Sequence, residues 1–263
     1  MLASRNQKGC ASPYGFTMVE LCVVIAMTGI LTALLLPALS TAKEQSRRAV
    51  CKNNIRQAYV GMENYANEND DRLPSSGDNR GYYHSIQLSD ETFTNFVAAD
   101  LANKPDVLYC PNVTYPTIPL HNDDGYVIGY SYLAGFLESS PKGPDEWSSP
   151  FPTKLPSGSS TNELLADANY WTISPPASAM AMAPHTASGG LTIAAAAVTM
   201  SRVPSSSAGV SGSSNATPGI VTSSQIGAVG GNIGYMDGHV QWKPMKAMST
   251  YQASSQGDAW ANW

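Results

Sequence analysis

Residues 16–39 form an apolar run of 24 residues in which Glu20 is the single ionisable group. A hydrocarbon core about 30 Å thick takes roughly 20 helical residues to cross, so this run is long enough to span a bilayer. What precedes it is equally constraining. Residues 1–15 carry two positive charges, Arg5 and Lys8, no acidic residue, and end on the small residue Gly15. A secretory signal has its small-residue cleavage site after the apolar region. Here the small residue comes first, so a cut at Gly15 removes the charged leader and leaves a mature chain held by its own N-terminal helix.

Gly15-Phe16-Thr17 followed by Glu20-Leu21 resembles the cleavage and methylation motif of type IV prepilins and type II secretion pseudopilins. Pro37 also falls where many pilins place a helix-loosening proline. The resemblance implies a prepilin peptidase cutting between Gly15 and Phe16, N-methylation of Phe16, and a helix that packs with like helices in a filament core. It further implies a partner for Glu20, the amino group of a neighbouring subunit's Phe16. A carboxylate inside an apolar helix costs several kcal/mol and so demands a reason; the other reading is a side chain snorkelling toward headgroups. Pro37 removes one helical hydrogen bond and crowds the preceding turn, which predicts a kink or local melting near residues 33–37, with Thr32 a candidate donor for the freed carbonyl.

Beyond residue 39 the pattern becomes a single apolar stripe. Cys51, Ile55, Ala58, Tyr59, Met62, Tyr65 and Ala66 recur at three- and four-residue spacing, while Lys43, Glu44, Arg47, Arg48, Lys52, Asn53, Arg56 and Glu63 read as the opposite face. Asn67 to Asp71 and then Pro74 supply a stop. One helix from residue 16 to about 69 would run roughly 80 Å. Residues 40–56 hold five basic residues and one acidic, whereas residues 57–263 hold eight basic and eighteen acidic. The basic stretch suits phospholipid headgroups in a membrane-resident precursor, an acidic neighbour in a filament, or plain solvation; nothing modular supports nucleic-acid binding. Arg5 and Lys8 argue for a cytoplasmic leader, but the basic residues past the span leave orientation open on charge alone. The resemblance places the C-terminal part outside the cytoplasm.

The remaining chain suffices for one domain with a modest core. With only 13% charged residues in the chain as a whole and abundant Gly, Pro and Ser, it favours strands and long loops. Strands are expected at residues 126–133, 163–166, 232–236 and 239–243, the last two flanking Asp237-Gly238 as a hairpin turn. A short helix is expected within residues 85–102, with Phe93, Phe96, Val97 and Leu101 on one face. Residues 191–200 fit a strand or a helix equally, and residues 201–230 read as a flexible Ser/Gly/Ala-rich excursion. The expected fold class is α+β and pilin-like: leader 1–15, membrane and assembly half-helix 16–39, amphipathic half-helix 40–70, and an extracytoplasmic domain 71–263 built on a small antiparallel sheet.

The run from Asn232 to Trp242 around Asp237-Gly238 also resembles the C-terminal signature of a pilin-like group from planctomycetes, as do the stretches about Cys51, Cys110 and Asp167. That signature has a histidine ten residues before the Asp-Gly aspartate, where this chain has Gly227, and substitution by His185 is left open.

Cys10 leaves with the leader and Cys22 lies in the membrane helix, so Cys51 and Cys110 remain, in the part placed where disulfides persist. A bridge between them would close a loop of about 60 residues and contribute roughly 4 kcal/mol in the chain-entropy picture; two unpaired buried thiols are the alternative. Asp123, Asp124, Asp167 and Asp237 show no calcium-loop spacing, although some pseudopilins hold calcium in a C-terminal loop. His84, His121, His185 and His239 show no zinc spacing. No phosphate loop, dinucleotide fingerprint or Gly-x-Ser-x-Gly elbow is present, so the chain reads as a structural subunit without a cofactor rather than as an enzyme. Its expected partners are a prepilin peptidase/methyltransferase, like subunits and an inner-membrane assembly platform. The precursor is expected as a single-pass inner-membrane protein and the product as a pilus or pseudopilus. The rival reading is a binding protein or enzyme using a pilin-type anchor.

Overall fold

The computed structural model describes residues 15–80, 82–113, 119–134, 154, 162–172, 180–187, 189–194, 222–225, 227–254 and 259–263. Arg5, Lys8 and Cys10 of the leader, residues 195–221 and Gly227's neighbour Ile226 lie outside them. The chain divides into two units, residues 1–42 and 43–263.

Helix α1 (Met18–Glu68) is 51 residues long and runs through Pro37 without interruption. The local melting expected at residues 33–37 is absent from its assignment. Thr32 donates to the carbonyls of Thr28 and Gly29, at 2.9 Å each, rather than to that of Ala33. In the first unit the large apolar side chains face outward: Phe16, Ile30, Leu34 and Leu39 are all more than 60% exposed.

In the second unit the predicted stripe is the buried one. Cys51, Ile55, Ala58, Met62 and Ala66 are almost wholly covered, with Tyr59 and Tyr65 packed partly against the same core. Glu44 departs from expectation: read as part of the solvent face, it is buried. It stands seven residues before Cys51, two turns up the same stripe, so geometry carries it inward despite its charge.

Among the described residues the domain holds three antiparallel sheets rather than one. β1 (Gln87–Leu88), β3 (Gly125–Val127) and β2 (Leu120–Asn122) form the first. β10 (Val240–Pro244), β9 (Gly230–Tyr235), β5 (Glu163–Asp167) and β4 (Tyr130–Tyr132) form the second. The third has the order β11 (Thr250–Gln252), β12 (Ala259–Asn262), β6 (Asn169–Thr172), β7 (Met180–Thr186) and β8 (Gly189–Ala194). The strand expected at residues 126–133 is therefore two strands in different sheets, broken at Ile128-Gly129. A Cβ on Gly129 would lie 2.7 Å from the Cys110 nitrogen, so only glycine lets the chain turn that close to the cysteine.

Helix α2 (Asp90–Ala99) matches the short helix expected within residues 85–102. Ser89 caps it by accepting the Thr92 N–H, Asp90 and Glu91 sit at its positive end, and Phe93, Phe96 and Val97 are buried. The Asp-Gly hairpin is present with a loop one residue longer than a simple Asp-Gly turn. Tyr235 and His239 close the ladder, Gly238 N–H donates to Tyr235 O at 2.9 Å, and Gly238 has φ +81°. That is the three-residue form in which a glycine in the left-handed region follows a turn. A side chain at Gly238 would also meet the Tyr59 ring of α1, at 2.8 Å, and one at Gly234 would lie 2.5 Å from Ile55. The hairpin thus lies directly on the helix, and its glycines allow the approach.

Candidate functional site

Two places carry the residues singled out from sequence. The first is the start of α1. Gly15 and Phe16 are exposed, and Thr17 and Glu20 bond each other reciprocally. Thr17 N–H donates to Glu20 Oε2 at 2.8 Å, the Thr17 hydroxyl donates to the same oxygen at 2.8 Å, and Glu20 N–H donates to Thr17 Oγ1 at 3.2 Å. This is a capping box, Thr at the cap and Glu three residues in, satisfying helix N–H groups that have no partner within the helix. The Thr-x-x-Glu spacing made it legible in the sequence, where Glu20 was read for its charge alone.

The second place is a buried polar hub where α1 meets the second and third sheets. Cys51 and Glu44 come from α1, Cys110 from the turn after a short 3-10 segment at residues 105–108, Asp167 from the end of β5, and His185 from β7. β5 and β6 are separated only by Ala168, so Asp167 sits where the chain passes from one sheet to the next. The expected cysteine pair is brought together: the two sulfurs are 2.6 Å apart and both are buried.

His185 stands between two carboxylates. Its Nδ1 donates to Glu44 Oε1 at 2.8 Å and its Nε2 to Asp167 Oδ2 at 3.1 Å. Arg48 Nε donates to Glu44 Oε1 at 2.9 Å and Asn112 Nδ2 to Glu44 Oε2 at 2.8 Å. Asn232 donates to Asp167 Oδ2 from its side chain at 2.9 Å and from its backbone at 2.5 Å. The Arg48 guanidinium lies 4.2 Å over the Trp242 ring of β10, so this arginine is an inward clamp and not part of the exposed basic stretch. Two cations thereby answer two carboxylates in a buried space.

His185, whose substitution for the signature histidine the sequence left open, is placed near position 227 by its backbone alone. Val229 N–H donates to the His185 carbonyl at 2.9 Å and Thr186 bridges Ala228, so His185 runs beside the segment that contains Gly227. The carboxylates considered for calcium do not converge. Asp124 pairs with Arg80 at 2.7 Å, Asp237 holds its own hairpin through His239, and Asp167 belongs to the hub. His121 pairs with Asp90 on the surface at 2.9 Å. Among the described residues, Cys51, Cys110, Asp167 and His185 form a donor group of the kind that takes a metal, with ligand atoms within 4.8 Å of one another. Their wide sequence separation hid the grouping from any spacing rule.

Burial alone would push the His185 pKa down. The hydrogen bond to Asp167, the contact with Cys110 and the Asp167 charge overcome that and lift it to about 10. Burial likewise works against the Glu44 carboxylate, yet bonds from Arg48, Asn112 and His185 hold it below the usual range. The stability that His185 contributes is therefore complete below its unfolded value of about 6.5 and is lost as pH rises through about 10. That of Glu44 is complete above the ordinary carboxylate range and lost as pH falls through its lowered value. Thermal melts of the full chain should fall from about pH 6.5 to 10 more steeply than those of His185→Gln. The titratable groups around the imidazole are Glu44, which also takes Arg48, Asp167 from β5, and Cys51 and Cys110, with Asn112 and the Trp242 ring beside it; parallel curves for the two proteins would remove His185 as the titrating group.

No family model matches the chain, and no solved structure matches it. The type IV major pilin protein PilA of Myxococcus xanthus is 30% identical to it over 96 residues, which cover 33% of this chain. The match spans 43% of that relative's length, less than half. With a long N-terminal apolar helix and an antiparallel domain already in place, this is the observation that decides. In architecture the chain is pilin-like. Its helix is long and apolar enough to cross a membrane, and among the described residues the crossing segment is exposed.

Proposed function

We propose that this pilin-like chain is the precursor of a filament subunit. It enters the inner membrane by its apolar helix, with the domain from residue 43 onward outside the cytoplasm. A prepilin peptidase cuts after Gly15, Phe16 is methylated, and an assembly platform passes the subunit into a type IV pilus-like filament or a type II secretion pseudopilus. The named relative favours the pilus. The role is mechanical, without a cofactor or a reaction of its own.

The supporting observation is the apolar half of α1, whose large side chains are exposed among the described residues. Lipid covers such a surface in the precursor, and like helices cover it in a filament. Both surroundings are apolar, so assembly draws on packing and on a charge pair rather than on exclusion of water. Intact mass of the protein sheared from cells tests the scheme. The expected species begins at Phe16 and carries one added methyl group. A mature chain beginning at Met1, or one that has lost residues 16–39, overturns it. Electron microscopy of the same sheared material separates a surface pilus from a short secretion pseudopilus.

A further inference from the structure

The hub presents two chemistries for the same atoms, a metal site and a covalent bond. Cys51, Cys110, His185 and Asp167 are a reasonable donor set for zinc, and Glu44 on the far side of the imidazole has the position of an outer-shell carboxylate. Asp167 Oδ1, buried without a hydrogen-bond partner, also favours an ion.

Three observations weigh the other way. Both nitrogens of His185 are already engaged by carboxylates, leaving no lone pair for a metal. The two sulfurs touch, with no room for an ion between them. The hub is also balanced as it stands, Arg48 and His185 against Glu44 and Asp167. A divalent ion would need two thiolates and a neutral imidazole, leaving one net negative charge in a buried space, an expensive arrangement.

We propose that Cys51 and Cys110 are joined by a disulfide bond, which turns the hub into a covalent latch between α1 and the segment leading to the first sheet. The bond forms between the two sulfurs as the thiols give up two protons and two electrons. These pass to a protein disulfide of the thiol-oxidising class found outside the cytoplasm, which becomes a dithiol. Exchange happens while the domain is still open, because both cysteines are at most 1% exposed once it has closed. The same burial shields the finished bond from reductants, so the latch is permanent and not a switch. The inference takes only its compartment from the proposed function.

The test uses the full chain in detergent. Protein harvested with thiols alkylated under denaturing conditions is digested without reduction and searched for the 51–110 cross-linked peptide. In parallel, reduced and unfolded chain is refolded in a glutathione/glutathione-disulfide buffer, and the location of the native protein is assayed separately. The expected result is the cross-link in both samples, resistance to dithiothreitol until denaturant is added, and a Tm about 10 °C lower for Cys51→Ser/Cys110→Ser. The peptide map decides the matter even if that variant fails to fold. Free thiols at both positions in the refolded sample overturn the latch, as does stoichiometric zinc with both sulfurs unlinked. A cytoplasmic, reduced native protein that nonetheless forms the cross-link on refolding overturns the compartment and leaves the latch standing.

Discussion

Glu20→Gln is expected to leave the start of α1 capped and processing intact, yet to abolish filaments, whereas Glu20→Ala should lose both the Glu20 half of the capping box and the filaments. The two substitutions separate the capping role seen in the structure from the assembly role proposed for the same carboxylate. Glu20 accepts the Thr17 N–H and hydroxyl within its own chain. A glutamine oxygen can accept the same bonds, so the box survives; alanine cannot, leaving only the Thr17 hydroxyl accepting the residue-20 N–H, at a cost below the roughly 1 kcal/mol of losing the cap residue itself. What glutamine lacks is the charge that would meet a neighbour's Phe16 ammonium. Breaking a charge pair in an apolar core costs about 3–5 kcal/mol, and each 1.4 kcal/mol is tenfold in an equilibrium constant. Repeated at each joint, that raises the subunit concentration needed for growth by more than 100-fold. Circular dichroism in micelles reads the cap, and electron microscopy of sheared material reads the filament. Normal filaments from Glu20→Gln, with defects confined to Glu20→Ala, would reduce Glu20 to a capping residue and remove the charge pair.

His185→Ala should destabilise the domain by about 3–5 kcal/mol, the range for removing one member of a buried ion pair. In a chain of this size that lowers Tm by roughly 10 °C or more. The burden falls unevenly. Glu44 keeps Arg48 and Asn112 as partners, whereas among the described residues Asp167 loses its cationic partner and retains Asn232. Its side chain is fully buried, so the stranded charge has no water to turn to. Pairing the change with Asp167→Asn should recover part of the loss. A coupling of more than about 1 kcal/mol in the resulting cycle is the signature of a direct pair. Additive losses would mean that His185 acts through packing alone, leaving the account of the hub without its ionic basis.

The sequence announced the helix and the C-terminal hairpin plainly because the signal there is local. A run of 24 apolar residues, a stripe at three- and four-residue spacing, and an Asp-Gly between strand-like segments each depend on neighbours a few positions apart. All three survive in the structure, and the errors in them are small. The hairpin loop is one residue longer than expected because Gly238 adopts the left-handed conformation after the turn. The strand at residues 126–133 is split because Gly129 must pass close to Cys110. The Thr17–Glu20 box was equally local and went unread only because the charge of Glu20 suggested a partner elsewhere.

Beyond the Cys51–Cys110 pair, which the cysteine count and compartment suggested, the hub had no such signal. Cys51 and Cys110 stand 59 residues apart, and Glu44 and His185 stand 141 apart, on elements whose order in the chain says nothing of their order in space. Glu44 even occupies a buried position of the helical stripe, but a carboxylate is buried only if counter-charges and donors await it. Arg48 lies one turn away and was visible; Asn112 and His185 come from the domain folded over the helix. The sequence alone therefore determined that this chain carries a long apolar N-terminal helix with a second, amphipathic half. Only the tertiary structure decided which charges that second half could bury, because burial of a charge depends on partners supplied by distant segments, and no local pattern encodes them.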